Sequence, residues 1–330
     1  MKEFIPHRLL RNGQLMTIAA SFWRRAHSRL PAGERRLFQT EPGTQVSADC
    51  HFQENPREHP TLVLLHGLEG SSDSDYMRGT AEKAWVAGFN AVRLNQRNCG
   101  GTEGLTETLY HSGLSGDIRA VLLELIERDG LPEIFAAGFS MGGNLVLKMA
   151  GEFGDAAPPE ARGFVAVAPS FHLAACAAEL ELPKNFLYER HFVTRLKRRM
   201  RHKASLFPAR YANGLRDELD RVGSVREFDD RITAPFCGFR DAADYYAQSS
   251  AMHVIGAIRR PTLILSAEDD PVVPVAMFAD EALRKNPNIT LVVTRRGGHC
   301  AFISQEAGAE RFWAETQIVE FCKERSMLMR

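Results

Sequence analysis

The chain has 330 residues, of which 44% are hydrophobic, and its 41 basic residues balance 41 acidic ones. This length favours one large α/β domain or a core with an inserted subdomain, and the balanced charge excludes a global field that would attract nucleic acid. The six cysteines form no Cys-x-x-Cys pair, which argues against a zinc site or a disulfide framework and favours a cytoplasmic protein with reduced thiols.

Residues 1–40 predict a helical N-terminal extension. Between Glu3 and Glu34 there is no acidic residue, and basic and apolar side chains are interleaved. Such a segment is typical of an organelle presequence or of a basic helix packed on the domain, and we favour the packed helix. No apolar run in the sequence approaches the length of a transmembrane helix.

The chain then alternates between strand and helix patterns. Residues 46–52 alternate in polarity and predict an outer strand, whereas residues 61–65 are a continuous apolar run, typical of a parallel strand buried on both faces. Further strands are predicted at 91–94, 134–137 and 163–168, and helices after residue 75 and over 114–126. This alternation predicts an α/β fold with a mostly parallel central sheet flanked by helices.

The alternation stops between residues 170 and 258, which are helical in composition and carry no strand pattern. We interpret this stretch as a helical lid inserted into a core of residues 41–169 and 259–330. Residues 187–203 predict a basic amphipathic helix within the lid. Such a helix most often has a solvated outer face, and it is also a candidate for peripheral contact with an anionic membrane.

The stretch Gly138-Phe139-Ser140-Met141-Gly142 stands between a predicted strand and a predicted helix. In that context a Gly-x-Ser-x-Gly sequence places the serine on a sharp, strained turn with its hydroxyl exposed. The flanking glycines permit the close approach of helix and strand that such a turn requires. Ser140 is therefore a candidate nucleophile, and a glycine-rich turn with an incidental serine is the alternative.

A serine hydroxyl is a weak nucleophile and needs a base that is oriented by an acid. Two further strands are predicted at 262–265 and 289–293. His299 follows the second of these, and Asp270 follows the first, next to Pro271. Asp269 is the alternative acid, and Glu268 is less favoured. The order Ser, Asp, His is the one expected of α/β-hydrolases.

Catalysis through an acyl-serine also needs an oxyanion hole made of two backbone N–H groups. We expect one from Met141, which follows the candidate nucleophile, and one from Leu68, in the turn after a predicted strand end. His66, which precedes that turn, is predicted to be a structural residue that fixes the loop.

Together these motifs resemble the α/β-hydrolase fold serine hydrolases, and specifically their YheT-like group. The resemblance covers nearly the whole chain and rests on residues 10–18, 66–70, 97–101, 138–142, 228–230, 233–235, 238–246, 269–271 and 298–299. The N-terminal motif departs from the family pattern at Gln14 and Met16. The resemblance implies an α/β-hydrolase fold with a lid and hydrolysis of carboxylic esters through an acyl-serine intermediate.

The implied substrate is a small-molecule or lipid-like ester, and no cofactor or metal is required. The alternatives are an acyltransferase or thioesterase that uses the same residues and, less favoured, a binding protein that keeps the fold without turnover. Neither the substrate-binding residues nor the oligomeric state follows from the sequence.

Overall fold

The computed structural model describes residues 2–23, 25–211 and 214–329. In this described part, eight strands form one sheet: β1 Glu34–Glu41, β2 Thr44–His51, β3 Thr61–Leu65, β4 Asn90–Leu94, β5 Ile134–Phe139, β6 Ala161–Val167, β7 Thr262–Ala267 and β8 Ile289–Thr294. The described part of the chain also contains thirteen α-helices: α1 Gly13–Phe22, α2 Asp75–Val86, α3 Ser115–Glu127, α4 Met141–Phe153, α5 Leu173–Leu180, α6 Phe186–Leu206, α7 Pro208–Tyr211, α8 Leu215–Arg221, α9 Val225–Phe228, α10 Ala234–Cys237, α11 Ala242–Ser249, α12 Glu281–Lys285 and α13 Trp313–Arg325.

The strands lie in the order β1-β2-β4-β3-β5-β6-β7-β8. Strands β1, β2 and β4 pair antiparallel, and every pairing from β4 to β8 is parallel. The carboxyl ends of the parallel strands therefore meet at one edge of the sheet, where reactive groups of open α/β sheets collect. The prediction of a mostly parallel sheet flanked by helices is confirmed.

The core lies on both faces of this sheet. All five residues of β3 are buried, and they alternate between two apolar clusters, with Leu62 and Leu64 on one face and Val63 and Leu65 on the other. This alternation follows from the period of two in a strand, and burial on both sides explains the continuous apolar run. Met16 of α1 is fully buried in the same cluster as Leu62.

The prediction of a helical extension over residues 1–40 is wrong for its last part. Only Gly13–Phe22 is helical in the described residues of that segment, whereas residues 34–40 belong to strand β1, which pairs with β2. Pro42 and Gly43 connect the two strands, and Gly43 has φ +74°. A Pro-Gly pair is a strong turn signal, so the sequence already contained the evidence for a hairpin.

The described residues between β6 and β7 form helices and no strand, as the sequence predicts. The predicted basic helix over 187–203 is confirmed as part of α6. The assignment of residues 170–258 as a lid stays a prediction. None of the helices in the described part of the chain is both long enough and apolar enough to cross a bilayer.

Candidate active site

Ser140 stands alone between the end of β5 and the start of α4, with φ +53° and ψ −118°. A non-glycine residue in this conformation is strained and is held there by its surroundings. The flanking glycines make the turn possible: a Cβ on Gly138 would lie 2.1 Å from the Gly142 carbonyl oxygen, and one on Gly142 would lie 2.5 Å from that of His66. Helix and strand thus approach each other more closely than any side chain would allow.

Three side chains from distant parts of the chain form one row of contacts. His299 Nε2 lies 2.9 Å from Ser140 Oγ, and His299 Nδ1 lies 2.9 Å from Asp270 Oδ2 and 3.1 Å from Oδ1. The backbone N–H groups of Val272 and Val273 donate to Asp270 Oδ1 at 2.8 and 2.9 Å. These two hydrogen bonds therefore hold the carboxylate in the orientation in which it faces the imidazole.

The row becomes more shielded from solvent toward the acid. The side chain of Asp270 is 0% exposed and that of His299 is 12% exposed. Burial lowers the pKa of His299, but the Asp270 carboxylate and the neighbouring Cys300 together raise it, so that the pKa lies well above its usual value of 6.5. The carboxylate thus stabilises the imidazolium, which is the form that results when the ring accepts a proton from the serine.

The structure places the two adjacent aspartates in different positions. Asp270 faces the imidazole, whereas Asp269 Oδ1 accepts a hydrogen bond from the backbone N–H of Gly298 at 3.0 Å. Burial raises the pKa of Asp269, against the smaller effect of that hydrogen bond. Asp269 therefore holds the loop that carries His299 and does not contact the ring.

The two expected oxyanion donors lie at one wall of the cavity that contains Ser140. Met141 is the first residue of α4, and the N–H groups of a first helical turn have no carbonyl partner inside the helix. Leu68 follows Gly67, on which a Cβ would lie 3.2 Å from Ser140 Cβ. The turn after β3 and the start of α4 thus face the same small space.

His66 fixes the turn that carries Leu68. It is fully buried, and burial lowers its pKa to about 4, so the ring is neutral at physiological pH. The backbone N–H of Gln96 donates to His66 Nε2 at 3.1 Å, so the ring proton is on Nδ1, which lies 2.7 Å from the Gly67 carbonyl oxygen. His66 therefore has the structural role that the sequence predicts.

Comparisons with known proteins show which family the chain belongs to. The profile of a family described as "alpha/beta hydrolase fold" matches residues 60–306, which is more than half of the chain. The Escherichia coli protein named "Putative esterase YheT" is 34% identical over 323 residues, which cover 97% of this chain and 92% of that protein. The chain belongs to the α/β-hydrolase family. The resemblance to the YheT-like group is thereby confirmed.

This α/β-hydrolase is also similar to the Mus musculus protein named "Phospholipase ABHD3", with 31% identity over 274 residues that cover 81% of this chain and 66% of that protein. Among solved structures, the Pyrococcus furiosus esterase Pf2001 matches with a TM-score of 0.59 and 17% identity over 98% of each chain. At that identity the likeness shows the shared fold alone.

A buried ion-pair cluster connects helix α6 of this α/β-hydrolase to the turn that carries Leu68. Glu69 is buried with φ +58°, and its Oε1 accepts hydrogen bonds from Arg199 Nε and from Tyr110 OH, both at 2.6 Å. Arg195 Nη2 donates to the Glu69 carbonyl at 2.7 Å. Both arginines lie on α6, so this helix holds the turn in place. The sequence showed the basic helix but gave no sign of its partner.

Helix α1 contacts the loop that carries His299, a feature that the sequence analysis did not find. The backbone N–H of His299 donates to Thr17 Oγ1 at 2.8 Å, and Thr17 Oγ1 donates to the Gly13 carbonyl at 2.7 Å. Gly13 lies so close to Asp269 that a Cβ would be 1.9 Å from its carbonyl oxygen. The similarity of residues 10–18 to a family motif was the one available signal that this segment has a role.

A largely apolar cavity opens beside Ser140, with about 1000 Å³ of empty space when its mouth is included. Its walls include Leu109, Leu173, Ala177, Leu180, Leu196 and Met200. Tyr245 and Tyr246 also line it: the Tyr245 hydroxyl accepts from the Ser112 N–H at 2.9 Å, and the Tyr246 hydroxyl donates to Asp229 at 2.8 Å. Burial raises the pKa of Asp229 to about 6.

Proposed function

We propose that the protein is a serine hydrolase that cleaves carboxylic esters through an acyl-serine intermediate. The observation that carries the proposal is the row of contacts from Asp270 through His299 to Ser140, with an imidazole nitrogen 2.9 Å from the hydroxyl. The family membership and the esterase named among its relatives support the same activity.

In this mechanism Ser140 Oγ attacks the ester carbonyl carbon while His299 Nε2 takes the hydroxyl proton. The N–H groups of Leu68 and Met141 donate to the oxyanion that forms, and Asp270 stabilises the imidazolium. The tetrahedral intermediate collapses, the acyl–oxygen bond breaks, and His299 gives its proton to the leaving alcohol. Water, deprotonated by the same imidazole, then releases the acid and regenerates the serine.

The substrates we propose are esters with an apolar acyl chain, including lipid-like esters. The support is the apolar wall of the cavity beside Ser140 and the similarity to a protein named as a phospholipase. Ala177 is buried in this wall. An Ala177→Leu variant narrows the cavity, and we expect its activity on p-nitrophenyl decanoate to fall about tenfold more than on the acetate.

The activity test is a p-nitrophenyl ester series from acetate to palmitate, assayed with wild type, Ser140→Ala and Ser170→Ala. Ser170 also lines the cavity, and its hydroxyl forms no hydrogen bond with His299 in the described part of the chain, so it is a matched control. We expect Ser140→Ala to lower kcat by about 10,000-fold or more and Ser170→Ala to stay within about tenfold of wild type. A Ser140→Ala variant with wild-type turnover on every ester would refute the proposal.

The acyl-serine intermediate is common to hydrolysis, thioester cleavage and acyl transfer. Product analysis with ethanol or a thiol added to the ester assay separates them. Free acid as the main product at low alcohol concentration supports a hydrolase, and an acylated alcohol as the main product would identify an acyltransferase.

A further inference from the structure

Helix α1 carries apolar side chains on two opposite faces. Gly13 and Met16 are buried against the protein, whereas Leu15, Ile18 and Phe22 recur at i, i+3 and i+7 on the other side and are exposed, with Phe22 at 80%. A helix that is apolar on its solvent side has a face without a partner in the monomer.

The exposed apolar surface continues onto the start of α6. Gln14 Nε2 donates to Asn185 Oδ1 at 2.9 Å, and the Tyr188 hydroxyl donates to the Gln14 carbonyl at 3.1 Å, so the two segments touch. Phe186 and Leu187 beside these contacts are 58% and 71% exposed. We call the following six exposed side chains the docking face: Leu15, Ile18, Phe22, Leu182, Phe186 and Leu187. Clusters of exposed large apolar residues mark interaction surfaces.

Exposed basic side chains flank the docking face, and Glu181, beside Leu182, is paired with Arg226. Arg8 and Arg11 are exposed just before α1, and Arg190 and Arg198 are exposed on the same outward stripe of α6 as Leu187. Within the described part of the chain, none of these four arginines forms an ion pair with a carboxylate. Because the whole chain has equal numbers of acidic and basic residues, this positive charge is a local concentration.

We propose that the docking face binds the surface of an anionic lipid bilayer. Its apolar side chains would enter the boundary between headgroups and acyl chains, and the surrounding arginines would face lipid phosphates, the arrangement typical of interfacial helices. A second copy of the chain fits this face less well. A twofold dimer places the same surface on both sides, so Arg8, Arg11 and Arg190 would meet like charges of the partner.

Docking through α6 would also bring the substrate cavity to the lipid. The buried side of α6 contributes Phe192, Leu196 and Met200 to the cavity wall, while its first turn belongs to the docking face. The proposal goes beyond ester hydrolysis and does not depend on it, because binding to a vesicle is measured without turnover.

The test is flotation of the full-length protein with vesicles of phosphatidylcholine alone and of phosphatidylcholine mixed with phosphatidylglycerol. The docking-face variant is Phe22→Ser/Leu187→Ser. Its matched control is Leu37→Ser/Val86→Ser, because these two side chains are also exposed and lie outside the docking face, with Leu37 on β1 at the far edge of the sheet. A charge variant, Arg8→Glu/Arg190→Glu, completes the set.

We expect wild type and the control pair to float with the anionic vesicles and to bind the neutral ones at least about tenfold more weakly. The Phe22→Ser/Leu187→Ser variant should lose about tenfold or more in partitioning, and the charge variant should lose its preference for anionic vesicles. Activity on soluble p-nitrophenyl butyrate should stay at the wild-type level in every variant, which shows that they fold and separates this test from that of the hydrolase.

Three results would overturn the proposal. The first is a wild-type protein that does not float with anionic vesicles, and the second is a set of variants that all float equally. The third is a wild-type dimer in size-exclusion chromatography with light scattering that Phe22→Ser/Leu187→Ser converts to a monomer, because a second copy would then cover the face.

Discussion

Thr17 offers a sharp test of the contact between α1 and the catalytic loop, because its hydroxyl accepts the backbone N–H of His299 at 2.8 Å. A Thr17→Val substitution keeps the shape and removes the acceptor. The N–H group is then left without a partner in a partly buried loop, which costs about 1–3 kcal/mol. If the misplaced imidazole raises the free energy of the transition state by this whole amount, kcat/KM falls by roughly 5- to 150-fold.

The matched control for this change is Thr17→Ser, which keeps the hydroxyl and loses only a methyl group. We expect Thr17→Ser to retain most of the wild-type kcat/KM on p-nitrophenyl butyrate. In Thr17→Val we expect kcat/KM to fall mainly because kcat falls, with KM changed little. Thermal melting of both variants measures any general loss of stability. If Thr17→Val and Thr17→Ser both turned over the ester at the wild-type rate, α1 would have no part in positioning His299.

Further predictions concern the acid, the pH profile and helix α6. Asp270→Asn should lower kcat by about 10,000-fold, whereas Asp269→Asn, which changes only a loop contact, should lower kcat far less. Because the pKa of His299 is raised well above 6.5 and the neutral ring is the active form, kcat/KM should rise with pH to a midpoint above 6.5, and Asp270→Asn should lower that midpoint. The same shift means that protonated His299 stabilises the fold below pH 6.5 and that this contribution is lost as pH rises through the folded-state pKa, a trend that melting curves measure. Arg199→Met leaves the buried carboxylate of Glu69 without its main partner and should lower the free energy of unfolding by about 3–5 kcal/mol, with part of it restored in Arg199→Met/Glu69→Gln.

Several parts of this site could be predicted because their signals are local in sequence. The Gly-x-Ser-x-Gly motif between a strand and a helix specifies the turn at Ser140, and the strand order places the groups that follow β7 and β8 at the same edge of the sheet. Asp270 was favoured over Asp269 from its position before Pro271, and the structure places Asp270 against the imidazole.

Other contacts could not be predicted because they depend on how distant segments pack. Thr17 and His299 are 282 residues apart, and Arg199 and Glu69 are 130 apart, so no local pattern links them. The basic stripe of α6 was visible, but a helix pattern does not reveal which arginines face a buried carboxylate and which face solvent. Strand β1 is a different case, since its Pro-Gly turn is a local signal that the sequence contains.

The central claim is that His299 activates Ser140 as a nucleophile, and covalent labelling tests it most directly. A fluorophosphonate probe reacts with an activated serine hydroxyl, and tryptic mass spectrometry locates the adduct. We expect one adduct on Ser140 in the wild-type protein, no adduct in Ser140→Ala, and strongly slowed labelling in His299→Ala. An intact, folded wild-type protein that the probe leaves unlabelled, or an adduct on another serine, would contradict the claim.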